Sequence, residues 1–203
     1  MVVSSIIYHD FIAMLPFVFL LAAIALTDLP DLRIEAVDAG SALIVRNTHA
    51  SQALTAYLVE LVDYPGSSYA FSQDELAQGG EPLGAGKQRR IPITNMTVGA
   101  APDYMKMRAA IFADGSTAGD SDKVAQLRAR RKLLLATVRE VLAHPGDLKQ
   151  LFESVPVSNS KLKRSDPAVV DQASRRALLA EALAMPVAAV AAAFGSREKA
   201  LQQ

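Results

Sequence analysis

Between residues 32 and 116 the apolar positions come in short runs broken by turn formers, and within several runs they alternate with polar ones. A period of two puts successive side chains on opposite faces, so this pattern predicts half-buried β-strands. Ile34 and Ala36 alternate with Arg33 and Glu35, and after Gly40-Ser41 a second run sets Leu43 and Val45 on one face. LTAYLVELVDY, beginning at Leu54, is apolar on both faces and rich in β-formers, which predicts a central strand. Pro65-Gly66 then turns the chain into SSYAFS, a further strand, and the glycine-rich stretch DELAQGGEPLGAG is expected to be a loop. In RRIPI, Pro92 has no amide to donate, so that strand belongs at an edge or a bulge. The clearest alternation is YMKMRAAIFADGS, with Met105, Met107, Ala109, Ile111 and Ala113 on the core face and Tyr104, Lys106, Arg108, Ala110 and Phe112 opposite.

After the Asp114-Gly115 turn the period changes. Asp120 or Ser121 is placed to cap a helix on which Val124, Leu127, Leu134, Leu135, Val138, Val141 and Leu142 form one stripe, stopped by His144-Pro145-Gly146. A short helix over residues 147–153 would bury Leu148, Leu151 and Phe152, and VPVSNSKLKRSD then has the composition of a linker. Asp166-Pro167 starts an Ala-rich helix, and Pro186 breaks it before a continuation over residues 187–194. Short strands without intervening helices, followed by helices, predict an α+β chain. An antiparallel Ig-like β-sandwich is expected at residues 32–118, helices packed on it at 120–155, and a linker with Ala-rich helices at 156–203. The path from the last long strand to the first helix is short. Leu127, Leu134 and Val138 are therefore expected against the sandwich, and a chain ending at Val155 is expected to remain folded.

The strand region also resembles immunoglobulin-like or fibronectin III-like modules of uncharacterised bacterial exported proteins. ALIVRNTHASQALTAYLVEL, the loop EPLGAG, the edge RRIPI and AAIFADGSTAGD carry the resemblance, over about 85 residues. It implies a sandwich and brings no activity with it.

Residues 11–26, FIAMLPFVFLLAAIAL, are apolar throughout and give way at once to TDLPDLR. Sixteen residues fall short of the roughly 20 a bilayer span needs, and Ala23 and Ala25 supply an A-x-A cleavage site. Residues 1–25 are thus expected to be a signal peptide, exporting the chain to a periplasmic or extracellular location. The region before the run holds no Lys or Arg, which keeps two alternatives open: an inner-membrane anchor over residues 6–26, through which the chain would associate with the membrane, and a buried helix.

Composition narrows the function classes. Lys plus Arg and Asp plus Glu both total 21, leaving no overall field to attract nucleic acid. Cysteine is absent, which excludes disulfides, thiolate nucleophiles and thiolate zinc sites. Asp114, Ser116, Gly119, Asp120 and Asp122 crowd oxygen ligands as a calcium loop does, yet the position for a bidentate Glu holds Ala125, and a turn followed by a helix start explains the same residues. Asp114, Asp120 and Asp122 are the weak metal candidates, and no cofactor is expected. Gly84-Ala85-Gly86-Lys87 lacks the flanking residues of a phosphate loop, and Ser158 and Ser160, each three residues before a lysine, lack the partner motifs of penicillin-recognising enzymes. His49 and His144 suit a loop and a helix end better than a catalytic pair with Ser51 or Asp147.

The densest charge cluster is Arg128, Arg130, Arg131 and Lys132. It is expected to be a solvated helix face, with the alternative of an interaction surface for anionic lipid headgroups, if the chain stays at the membrane, or for the phosphates of another partner. The leading expectation is a non-enzymatic envelope protein whose sandwich is an interaction or structural module for a protein partner. A binding module for a sugar or another small ligand, using Tyr57, Tyr64, Tyr69, Phe71 and Tyr104, is the second, and a hydrolase without a recognised motif the third.

Overall fold

A computed structural model describes residues 29, 32–38, 42–63, 67–92, 104–157 and 166–202, with side chains for all of these except 62, 63, 67–69 and 104. Residues 1–28, where a signal peptide or anchor is expected, Pro65-Gly66, Ile93, the side chains of Tyr64, Tyr69 and Tyr104, and residues 158–165 of the expected linker lie outside this description.

The chain is α+β, with seven antiparallel strands in two sheets followed by four helices among the described residues. The strands are β1 (Leu32–Val37), β2 (Ala42–Asn47), β3 (Leu54–Asp63), β4 (Ser67–Asp74), β5 (Gln88–Pro92), β6 (Tyr104–Phe112) and β7 (Thr117–Gly119). One sheet has the order β1-β2-β5, so the proline-bearing strand does lie at an edge; the other has the order β4-β3-β6-β7. Leu32, Leu43 and Val45 of the first sheet share a buried core with Leu54, Tyr57, Val59, Leu61 and Met107 of the second. Both faces of β3 are covered, because Ala56 and Leu58 turn to the opposite side and meet a helix.

On β6 the simple alternation fails. Met107 faces the inter-sheet core, but Ala109 and Ile111 face the helix, while Ala110 and Phe112 take over the inter-sheet side. The cause is a register shift: Leu58 pairs with Ala109 and Val59 with Met107, so Arg108 is an extra residue. Such a bulge reverses the facing of everything beyond it. Arg108 uses the bulge to reach both Glu60 (3.1 Å) and Asp120 (2.6 Å). The three-residue β7, invisible in the hydropathy pattern, returns beside β6 with Ile111 opposite Thr117. Gly119 closes this corner at φ +107°, where a Cβ would collide with the Arg108 carbonyl oxygen.

Helix α1 (Ser121–Ala143) belongs to two cores. Val124 and Leu127 lie on Ala56, Leu58, Ala109 and Ile111 of the larger sheet. Leu134, Val138 and Val141 instead pack in a second core with α2 (Leu148–Ser154), α3 (Pro167–Ala184) and α4 (Val187–Leu201), around Leu179, Val190 and Phe194. The expectation that Leu134 and Val138 lie on the sheets is therefore corrected: a 23-residue helix is about 35 Å long, and the four-stranded sheet covers only its first turns. Asp166 caps α3 by accepting from the Ala168 amide (2.9 Å), with Pro167 at the first helical position, and Met185-Pro186 separates α3 from α4. No helix among the described residues is long and apolar enough to cross a membrane.

Candidate functional site

The residues read as a basic surface are divided by the helix they share. Arg128 and Lys132 are exposed, whereas Arg130 is only 4% exposed and Arg131 is half-buried. The solvated-face reading of all four fails because Arg130 stands three residues after Leu127 and four before Leu134, on the apolar stripe itself. Its guanidinium is kept inside by partners from two other elements. Nε donates to Asp171 of α3 (2.6 Å) and Nη1 to the Ser72 hydroxyl of β4, while Nη2 is buried with no hydrogen-bond partner among the described residues.

Around this arginine a seam of charge pairs joins the sheets to the helices. Arg131 donates from Nε to Asp74 (2.7 Å) and from Nη2 to the Thr55 hydroxyl (3.0 Å). Asp74 also accepts from the Ala77 amide, which begins the turn after β4. Glu75, on that turn, pairs with Arg89 of β5. Arg197 of α4 makes a two-point contact with Glu181 of α3 and lies over the Phe194 ring at 4.8 Å. Gly79, at φ +68°, leaves the space that the Arg197 guanidinium occupies. Sheets, turn and helices are thereby fixed relative to one another by arginines that are largely withdrawn from water.

Within the seam lies a cavity of about 310 Å³ between β4, the following turn, α1 and α3. Ser72, Asp74, Gln78, Arg130, Ser174 and Glu181 are its polar lining, and Leu127, Leu134, Val170 and Leu178 contribute apolar wall. It opens beside α3, where Ala173 and Ala177 are exposed.

The other sequence candidates stay apart from this cavity. Asp114 accepts from the Ser116 hydroxyl and amide, and those hydrogen bonds hold its carboxyl below the usual value. Asp120 occupies the cap position of α1 but makes no side-chain cap, its carboxylate going to Arg108 instead, and Asp122 lies 4.0 Å from Lys123. The three acids are thus engaged separately, and no cluster able to hold a metal exists among the described residues. His49 accepts the Ser51 and Gln52 amides on Nδ1 and rests against Phe112, with ring centroids 5.0 Å apart, so it organises a loop. His144 ends α1 in solvent. The Gly84–Lys87 stretch is a turn whose Gly86 amide donates to the Asn47 carbonyl (2.9 Å). Tyr57 is 1% exposed, filling the inter-sheet core, and Phe71 packs beside it, so neither forms a stacking platform.

Arg130 is among the four basic residues the sequence singles out, but its burial is not what that cluster predicts. Its place on the stripe was the available signal, and the cavity beside it depends on α3, which no local pattern brings to β4. Comparison of the chain with protein-family models, with curated proteins and with solved structures returns no match.

Proposed function

We propose that the protein is a non-catalytic exported module of the cell envelope, in which the paired sheets are an immunoglobulin-like interaction or structural scaffold and the helices carry the contact with a protein partner. The observation that carries this reading is the corner between α3 and α4. Leu183 and Val187 are 40% and 60% exposed there, and Ala184, Pro186, Ala188 and Ala189 are exposed around them. No charged residue occurs between Glu181 and Arg197. A run of exposed apolar side chains with no charge among them is unfavourable in water and characteristic of a surface that is covered in use. Three strands facing four, with β3 and β6 paired inside the larger sheet, supports the immunoglobulin-like or fibronectin III-like part of the proposal. The apolar segment ending in Ala23-Ile24-Ala25 supports export.

The test compares the wild-type chain with a Leu183→Glu, Val187→Glu variant as bait in envelope extracts. A specific partner should be retained by the first and lost from the second, while thermal melts of the two agree, since both positions face water. Equal recovery by both baits, or no partner with either, rejects the reading. The mature protein should begin at Leu26 or within a few residues of it. Intact Met1 in the soluble cytoplasmic fraction rejects export.

A further inference from the structure

We infer that the cavity beside Arg130 is a binding site for a small neutral molecule with a carboxamide head and a short apolar body. The site stands independently of the α3–α4 corner. At about 310 Å³ its volume is that of small-ligand pockets, and its lining combines apolar side chains with a few polar ones as such pockets do.

Arg130 supplies the reason for an acceptor. A guanidinium offers five N–H groups, and in this one Nη2 is enclosed without a partner although Nε and Nη1 are bonded. A buried donor left unpaired is a standing cost that an acceptor removes. Nη2 is sealed from solvent as it stands. A carbonyl oxygen would reach it only through a turn of the guanidinium toward the cavity, which exchanges the Ser72 hydrogen bond for the one gained and keeps the Asp171 contact on Nε.

The surrounding charges decide the head group. Asp74 and Glu181 both line the cavity, offset by Arg131 and Arg197 behind them, and the charge of Arg130 is already offset by Asp171. Each lining charge is thus matched by a partner, so neither an added carboxylate nor an added ammonium gains a net attraction for the hydration it gives up. A carboxamide fits both needs, because its oxygen accepts from Arg130 while its N–H groups donate to Glu181, Asp74 or the Gln78 side-chain oxygen. The apolar body then lies along Val170, Leu127, Leu134 and Leu178.

Octanamide, octanoate and octylamine share a chain and differ in the head, so titration of the wild-type protein with each, followed by amide chemical shifts, isolates the choice. Octanamide is expected to bind saturably, shifting residues of β4, α1 and α3, and roughly tenfold more tightly than the two charged probes, about the factor one hydrogen bond supplies. Ala177→Leu, which narrows the mouth at an exposed helical position, should abolish binding without lowering the melting temperature. Arg130→Lys, which keeps the charge and loses the planar donor set, should weaken octanamide by a similar tenfold. Absence of saturable octanamide binding to the wild-type chain overturns the inference, as does octanoate or octylamine binding as tightly, or undiminished binding to Ala177→Leu.

Discussion

Ending the chain at Val155, which the sequence alone leads one to expect to be tolerated, removes α3 and α4 while leaving every strand and all of α1 in place, and the second core reverses that expectation. Three α1 side chains, Leu134, Val138 and Val141, are at most 5% exposed and lie in the core those helices complete. Full burial of a Val or Leu stabilises by about 1.5–3 kcal/mol, so uncovering the three forfeits roughly 5–9 kcal/mol as an upper estimate. Loss of the Arg139–Glu198 and Arg175–Glu140 pairs adds little, since exposed pairs are worth about 0–1 kcal/mol each. Arg130 would also lose Asp171. Typical domains hold only about 5–15 kcal/mol in total, so the shortened chain should retain a small fraction of its stability or none. Far-UV circular dichroism melts and urea titrations of the two chains, begun at the same residue, measure this. The expected result is a broad, low transition for the shorter chain and binding of a hydrophobic dye at room temperature. A sharp transition at the midpoint of the longer chain would show that the second core contributes nothing to the first, and would refute the account of α1 as a member of both.

Further outcomes follow from single side chains. The Tyr57 hydroxyl is buried without a hydrogen-bond partner, and burial first, then Glu75, push its pKa far above the usual phenol value against a smaller opposing effect of Arg89. The folded state therefore keeps a proton that the unfolded chain releases, so this group's stabilisation is intact below about pH 10 and declines as pH rises past it. Tyr57→Phe should remove that alkaline decline and raise stability at pH 7 by up to about 1–3 kcal/mol, read as urea midpoints at pH 7 and pH 11. Gly119→Ala places a methyl against the Arg108 carbonyl oxygen at a φ of +107° and should lower stability by about 1–3 kcal/mol in thermal melts. Asp166→Ala removes the cap of α3 and should cost about 1 kcal/mol, with Asp166→Asn largely restoring it.

The strands were legible wherever one periodicity governed a whole segment. Leu43 and Val45 on one face, β3 covered on both, and Pro92 at an edge all follow from local chemistry that tertiary packing then reinforces. Reading failed where a partner distant in sequence decided the outcome. Alternation along β6 could not reveal the bulge at Arg108, because that bulge is defined by the register with β3 and fixed by Glu60 and Asp120. Helical periodicity marked Leu127 and Leu134 as buried but not that they enter different cores. On charge alone Arg130 reads as one of four surface cations, although its position on the stripe points inward. Of the candidate site, only that position was readable. Asp171, Ser72 and Glu181 come to the cavity from elements whose meeting the sequence does not announce.

Because α1 closes one core with its first turns and opens another with its last, the order in which the chain is made has a cost. β3 and β6 can be covered as soon as Val124 and Leu127 have been synthesised. Leu134, Val138 and Val141 must wait for Phe194 and Leu201, which seal the helical core much later in the chain. At about 5–20 residues per second that interval lasts roughly 3–12 s, with a half-finished apolar face open to whatever meets the nascent chain. A protein built this way benefits from being held unfolded until its last helices are present, and a holdase acting on the emerging chain would find its binding surface on the second half of α1.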